Sequence, residues 1–171
     1  MKKFLFLWSF LMLGAAFVSA GPVVDGKVSA GEYAFSKSVL DGAGSLSWFQ
    51  DDQGGLTVAL SLKTKGWAAV GFGAKKMSGA SIYLGFVDSA GKAVFAEQIG
   101  KGHRHADSGV LTADKSQVAR VGGVTVVEFH LPAGKLPFTG KSVPFIAAFG
   151  DSADLTTFHN DNVDSGMVNL Q

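Results

Sequence analysis

The 171-residue sequence contains no cysteine, and this absence excludes several classes of protein. Such a chain cannot hold disulfides, a lipoprotein anchor, a thiolate-bound metal or iron–sulfur cluster, or haem attached through a C-x-x-C-H motif. The domain must therefore be stabilised by burial of its own core. A chain of about 150 residues, which remains after an N-terminal leader is set aside, is long enough for this.

The sequence also lacks a strong excess of charge of either sign. It has 15 lysines and arginines against 14 aspartates and glutamates, and two of the lysines, Lys2 and Lys3, belong to the leader. Without those two, 13 basic residues face 14 acidic ones, which leaves a net charge near −1. Nucleic acids and anionic membranes attract clustered positive charge, so we expect neither as a partner.

A long apolar run occurs at the N terminus and nowhere later in the chain. Lys2-Lys3 precede an apolar stretch over Phe4–Phe17, and the small residues Val18-Ser19-Ala20 follow it. This pattern predicts a secretory signal peptide over 1–20, followed by one domain over 21–171. The run is too short for a stable membrane span. We therefore expect an exported protein, periplasmic or secreted, with no transmembrane segment after signal cleavage.

No stretch of ten or more residues shows the apolar periodicity and capping residues of an α-helix. Short strand patterns between glycine-rich turns are present instead; over Leu56–Leu62, for example, leucine and valine alternate with smaller residues. The pattern predicts an all-β fold, an antiparallel immunoglobulin-like β-sandwich of about ten strands. A polar loop is expected over 100–109, and strands are expected over 45–50, 56–62, 67–72, 80–87, 93–99, 117–121, 124–131, 143–149, 156–159 and 167–170.

The short motifs of common enzyme classes are also missing. The sequence has no G-x-S-x-G, no H-E-x-x-H, no P-loop and no dinucleotide-binding fingerprint. Its acidic residues show no spacing that singles out a carboxylate pair for glycoside hydrolysis. We therefore expect a domain that is not an enzyme.

Ligand-capable side chains follow two of the predicted strands. The segment GWAAVGFGAKKMSG over 66–79 carries an apolar strand interrupted by Gly71 and Gly73, and then places Met77 in a loop. Glycine within a strand marks a bulge or the close approach of another group. His159 follows Phe158 at the end of another predicted strand. Taken alone, the first segment is better explained as a buried strand with a gap-filling methionine in the next loop.

Two further histidines lie in the predicted polar loop. His103 and His105 form a His-x-His pair with Asp107 nearby. If the two imidazoles came together, they could bind a metal such as copper or zinc. One of them could also supply an alternative ligand to another site in the chain. A solvated loop is the simpler interpretation.

An ordered series of motifs resembles the DOMON domains, the family that includes the cytochrome domain of cellobiose dehydrogenase. The opening VDGKVSAGEY, over 24–33, is also similar to the start of the related CBM9-like carbohydrate-binding sandwiches. The series covers most of 45–170 and consists of Trp48, Leu56–Leu62, GWAAVGFG, Met77-Ser78-Gly79-Ala80, YLGFV over 83–87, Val126–Leu131, IAAFG over 146–150 and Phe158-His159.

The resemblance implies a b-type haem held at one end of the sandwich by a methionine and a histidine. In this sequence those two ligands of the haem iron fall on Met77 and His159. Haem without thioether links needs axial ligands and an apolar slot. The implied function is single-electron transfer with a redox partner protein that the sequence does not identify. The residues expected to line the slot are Trp67, Gly71, Phe72, Gly73, Phe149 and Phe158.

Some DOMON domains bind no haem, so a carbohydrate- or small-ligand-binding module is the alternative. Trp48 and Phe49 are adjacent, and neighbouring residues of a strand point to opposite faces. One of the two rings should therefore lie away from the core, unless a second layer covers it. An exposed ring at this place would suit a sugar ligand, whereas ordinary packing would explain it without one.

The predicted signal peptide sets the first residue of the mature protein. Amino-terminal sequencing of the exported protein should begin at Gly21, because the small residues Val18-Ser19-Ala20 form the expected cleavage site. A start well inside 23–45 would contradict the predicted domain boundary.

Overall fold

The computed structural model describes residues 21–155 and 157–171, so the predicted signal peptide lies outside the described residues. These residues form eleven strands and no α-helix, which confirms the predicted antiparallel β-sandwich. Within the same ranges, no helix is long and apolar enough to cross a membrane. The strands are β1 Phe35–Val39, β2 Gly44–Gln50, β3 Leu56–Leu62, β4 Ala68–Phe72, β5 Ser81–Val87, β6 Ala93–Lys101, β7 Arg104–Asp107, β8 Lys115–Val121, β9 Val124–Leu131, β10 Ser142–Phe149 and β11 Val163–Asn169.

The strands build two sheets that enclose one core. The five-stranded sheet has the order β1-β2-β3-β9-β8, and the six-stranded sheet has the order β11-β10-β4-β5-β6-β7. Alternate residues of each strand face inward, as the period of a strand requires. Between the sheets the rings of Tyr83 and Phe129 stack with their centroids 4.4 Å apart. Leu56, Val58, Leu60 and Leu62 of β3 are all fully buried, as their alternation predicts.

The six-stranded sheet is apolar on its outer face as well. In β4, Ala68, Val70 and Phe72 belong to the core between the sheets, whereas Ala69 and the preceding Trp67 belong to a separate buried cluster. Since alternate residues point to opposite faces, this cluster lies on the side away from the core. We call it the outer apolar layer; its buried members are Trp67, Ala69, Ala80, Ile82, Leu84 and Phe86.

The structure corrects three expectations about the strands. The predicted loop over 100–109 contains β7, which pairs with β6 so that Gly100 lies opposite His105. β7 is short and polar, so it carries no apolar alternation by which the sequence could indicate it. The first strand, β1, was not predicted. The strand expected over 156–159 is wrong for its described residues, since 157–159 lie in the connection between β10 and β11.

A buried carboxylate holds the N-terminal segment against the five-stranded sheet. Glu128 of β9 is fully buried, and one carboxylate oxygen accepts hydrogen bonds from the backbone amides of Asp25 (2.9 Å) and Gly26 (2.7 Å). The other oxygen accepts a hydrogen bond from the hydroxyl of Tyr33. Burial raises the pKa of Glu128, because its charged form is partly desolvated. These bonds fix the segment as a second layer over the outer face of this sheet.

Replacing Glu128 tests this anchor. Glu128→Ala should lower the free energy of unfolding by about 3 kcal/mol, because the donors around a buried charged acceptor lose their partner. Glu128→Gln is the matched control and should lower the free energy of unfolding clearly less. Its side-chain oxygen can still accept from the backbone amides, and its NH2 group can donate to the Tyr33 hydroxyl. Urea unfolding monitored by tryptophan fluorescence measures both. Equal losses for the two variants would contradict the hydrogen-bonded anchor.

Candidate functional site

Three adjacent cavities lie on the outer face of the six-stranded sheet, and Met77 and His159 line all three. The two larger cavities have volumes of about 430 and 390 Å³, and the third is a narrow apolar pocket of about 40 Å³. Sites for small molecules and cofactors usually measure roughly 300–1,000 Å³. We call the three cavities together the crevice. Its floor is the outer apolar layer, including Ala69, Ile82 and Leu84.

Hydrogen bonds to β6 hold the loop that carries Met77. The amide of Gly79 donates to the carbonyl of Gly100 (2.9 Å), and the amide of Gly100 donates to the carbonyl of Ala80 (2.9 Å). The amide of Ala80 closes the turn by donating to the backbone carbonyl of Met77 (3.0 Å). Gly79 has a φ of +85°, a conformation that favours glycine. The half-buried side chain of Met77 is thereby directed onto the outer apolar layer.

Trp67 anchors the connection between β10 and β11, which carries His159. The backbone amide of Trp67 donates to the carbonyl of Ser152 (3.1 Å), and the carbonyl of Trp67 accepts from the amide of Gly150 (3.1 Å). Its indole Nε1 donates to the carbonyl of Thr157 (3.2 Å). The same ring also lines two of the three cavities. One side chain therefore forms part of the crevice wall and holds the segment that brings His159 to it.

The imidazole of His159 is oriented by its own turn. Its Nδ1 lies 2.6 Å from the carbonyl oxygen of Asn160, which has a φ of +50°. A carbonyl oxygen can only accept a hydrogen bond, so Nδ1 carries the proton in this contact. In the neutral ring the lone pair is then on Nε2, which is the arrangement common among histidines that bind metals. The adjacent Phe158 ring lies 4.2 Å from the imidazole and is 64% exposed.

His105 also lines the crevice, in the narrow pocket and in one large cavity. Its Nδ1 is buried and has no hydrogen-bond partner among the residues that the structure describes. Burial, and then the proximity of His159, lower the pKa of His105, which favours its neutral form. His103 is exposed and lines both large cavities.

The described residues contain no group of three or more His, Cys, Asp or Glu side chains placed to hold a metal ion. A metal site built from His103, His105 and Asp107 therefore finds no support in the structure.

The mouth of the crevice carries positive charge. Lys75 and Lys76 are exposed and line one large cavity, and Arg104 lines the other. Asp164 lies on the far side of the first cavity and is the acidic residue of that lining. The crevice thus combines an apolar floor, a thioether, imidazoles and a predominantly cationic rim. Thioether and imidazole groups can ligate a metal ion, and lysine and arginine side chains can pair with anionic groups.

The structure brings five of the eight residues predicted for the site together around the crevice. Met77, His159, Trp67, Gly71 and Phe158 all line it. A methyl group placed on Gly71 would lie 2.8 Å from Ile146 Cγ1, so this glycine makes room for Ile146. On this face the Ile146 side chain lies against the Gly71 backbone.

The other three predicted residues lie elsewhere. Phe72 and Phe149 face the core between the sheets, and the Phe72 ring packs 5.7 Å from that of Phe138. Gly73 lies beside the carbonyl of Pro137. The crevice lies over a face of the sheet rather than at one end of the sandwich. Sequence reasoning did not identify Ile146 and Ala148 as lining residues, although their alternation with the inward-facing Phe145 and Ala147 could have indicated them.

The ring pair considered for carbohydrate binding is covered. Trp48 is buried, stacks on Phe35 at 5.6 Å and donates from Nε1 to the carbonyl of Asn169 (3.1 Å). Phe49 points to the outer face and is half-buried. A methyl group on Gly21 would lie 3.0 Å from the Phe49 ring, so the N-terminal segment packs on it. The second layer, rather than a ligand, explains this pair.

The family model described as DOMON domain matches residues 40–134, and this confirms the resemblance seen in the motifs. The fold is similar to the cytochrome b domain of pyranose dehydrogenase from Coprinopsis cinerea, with a TM-score of 0.58, 14% identity, and coverage of 78% of this chain and 80% of that chain. It is also similar to the cytochrome domain of Myriococcum thermophilum cellobiose dehydrogenase, with a TM-score of 0.50, 8% identity and coverage of 75% of each chain. No curated protein matches the chain. At these identities the two structures establish the fold alone.

Gly100 allows a test of how the Met77 loop is held. Gly100→Ala should displace the loop and lower the free energy of unfolding by about 1–3 kcal/mol, because the new methyl group would overlap the carbonyl oxygen of Met77. Gly134→Ala is the control, since that position has open space around it. Urea unfolding gives the stability change, and amide hydrogen exchange at Gly79 and Ala80 reports the loop. Unchanged exchange in Gly100→Ala would contradict the described contact.

Proposed function

The chain belongs to the DOMON domain family, and on this premise we propose that it is an exported haem-binding domain that transfers single electrons. Met77 and His159 are proposed as the axial ligands of a b-type haem. The observation that carries the proposal is that these two side chains, far apart in sequence, line the same crevice. Met77 comes from the loop after β4, and His159 comes from the connection after β10.

The residues of the crevice fit haem in their chemistry. A thioether and an imidazole with Nε2 available are a ligand pair known for haem iron. The Nδ1 contact with the Asn160 carbonyl supplies the outer hydrogen bond that orients a ligating imidazole. Ala69, Leu84 and Ala148 provide apolar contact for a macrocycle. The exposed Lys75 and Lys76 are suited to pair with propionate groups.

The ligands proposed here favour electron transfer over catalysis. Haem, when bound, supplies the one-electron redox couple of its iron. Met77 and His159 would occupy both axial positions, so they would leave no position open for oxygen or a substrate. A thioether ligand favours the reduced form and raises the potential relative to two imidazoles.

The comparisons support the same assignment. Both similar structures are described as cytochrome domains of dehydrogenases, one acting on pyranose and one on cellobiose. By analogy, the redox partner proposed for this chain is an oxidoreductase outside the cytoplasm. The crevice reaches solvent beside Lys75, Lys76 and Arg104, so a partner with an acidic surface would be favoured there.

Titration of the exported protein with haemin tests the proposal. The wild type should develop the Soret band of a six-coordinate, low-spin haem. His159→Ala should weaken haem binding by more than about 100-fold, because it removes an axial ligand together with its orienting hydrogen bond. His130→Ala is the control and should bind like the wild type, since His130 lies on the other sheet beside Asp114.

Two results would overturn parts of this assignment. If the wild type shows no Soret band with excess haemin, haem binding is wrong, and binding of an oligosaccharide by the colourless protein would then favour the alternative module. If His159→Ala binds haem like the wild type, the assignment of His159 as a ligand is wrong. Far-UV circular dichroism of each variant confirms that the sandwich is folded.

A further inference from the structure

His105 points its side chain into the crevice from the edge of the six-stranded sheet. It lies on β7, where Gly100 of β6 is its partner across the strand pair. Its ring lines the narrow apolar pocket together with Ile82 and Leu84 of the outer apolar layer. Although the sequence around it is polar, the side chain is therefore placed among apolar neighbours and not in a solvated loop.

One ring nitrogen of His105 lacks the hydrogen bond that a buried structural histidine normally makes. Its Nδ1 is buried and has no hydrogen-bond partner in the described part of the chain. Leaving such an atom unpaired is unfavourable, so most buried polar side-chain atoms have a partner. A neutral imidazole carries a lone pair on one of its two ring nitrogens. A ligand or a metal bound in the crevice could use that lone pair.

Met77 and His105 approach the crevice from the same side. The backbone of Met77 rests on Gly100, where an added methyl group would overlap the Met77 carbonyl, and Gly100 is paired with His105. His159 comes instead from the connection between β10 and β11, which lie at the opposite end of the sheet from β6 and β7. All three side chains line the same narrow pocket. A group bound between Met77 and His159 would thus also face His105.

We propose that His105 is a third ligand of the site and exchanges with Met77 for one axial position of the haem iron. The inference rests on the proposed function, because it concerns the same haem. The crevice would then hold haem in two states, one with Met77 and His159 and one with His105 and His159. Both states are six-coordinate, so the iron remains closed to substrates in either.

The two states would differ in redox potential. Thioether ligation raises the potential of haem iron relative to ligation by two imidazoles. The softer thioether also favours ferrous iron, and imidazole is the better ligand for the ferric form. Exchange of Met77 for His105 would therefore lower the potential of the domain. A chain with this pair could serve partners of different potential without any change in its fold.

The test uses the exported protein with haemin added, and it compares coordination in a set of variants. Met77→Ala should remain six-coordinate and low-spin, with the absorption and electron paramagnetic resonance spectra of Met77→His, which serves as the reference for two imidazole ligands. Met77→Ala combined with His105→Ala should become five-coordinate and high-spin. Free imidazole added to that double variant should restore the low-spin spectrum.

His103 provides the matched control. Met77→Ala combined with His103→Ala should stay six-coordinate, because His103 is exposed and lines only the larger cavities. His105→Ala alone should stay six-coordinate and low-spin through Met77 and His159, but it should lose the part of the wild-type spectrum that matches Met77→His. Redox titration should give Met77→Ala a lower midpoint potential than the wild type, close to that of Met77→His.

The outcomes separate this inference from the proposed function. A five-coordinate Met77→Ala, or a double variant lacking Met77 and His105 that remains low-spin, would overturn the role of His105 while leaving haem binding intact. A wild type that takes up no haem would overturn the proposed function and this inference together. Urea unfolding of each variant without haem shows whether the sandwich is intact, so loss of coordination can be distinguished from loss of fold.

Discussion

Burial of both faces of the six-stranded sheet is the constraint on which the candidate site depends. A strand has two faces, and in β4 both are covered, one by the core and the other by loops that pack on Trp67 and Ala69. Loops normally run over the surface because their backbone needs partners. Here loops cover the apolar outer face, and the amides of Gly79 and Gly150 in these loops donate to the carbonyls of Gly100 and Trp67, near strand ends. The crevice is the space left between this face and the loops.

Two anchors define the crevice by holding its walls to the sheet. Trp67 bonds through its backbone and its indole to the connection that carries His159. Gly100 lies against the backbone of Met77, and a side chain there would not fit. The loops that carry Met77 and His159 are thus bonded to the sheet, although these two residues lie outside its strands. A preorganised arrangement of this kind is what a cofactor site needs if binding is not to require ordering of its loops.

The sequence predicted the architecture well and the details of the site unevenly. Strands with alternating apolar residues, such as Leu56–Leu62, were predicted to the residue because their period is unambiguous. β7 was not predicted, because a short polar strand has no alternation of apolar and polar residues. Phe72 was assigned to the haem slot but belongs to the core. In a strand that is apolar on both faces, the pattern does not indicate which residues face the core between the sheets and which face the outer apolar layer.

By itself, the sequence determined the fold class, the family and the chemical character of the candidate ligands. Local periods and ordered motifs are properties of short segments, so they can be read without the fold. The tertiary structure alone decided that Met77, His105 and His159 share one crevice and that Phe49 is covered by the N-terminal segment. These are contacts between segments distant in the chain. They arise from strand order and from the side of the sheet on which each loop packs, and neither is encoded in a local pattern.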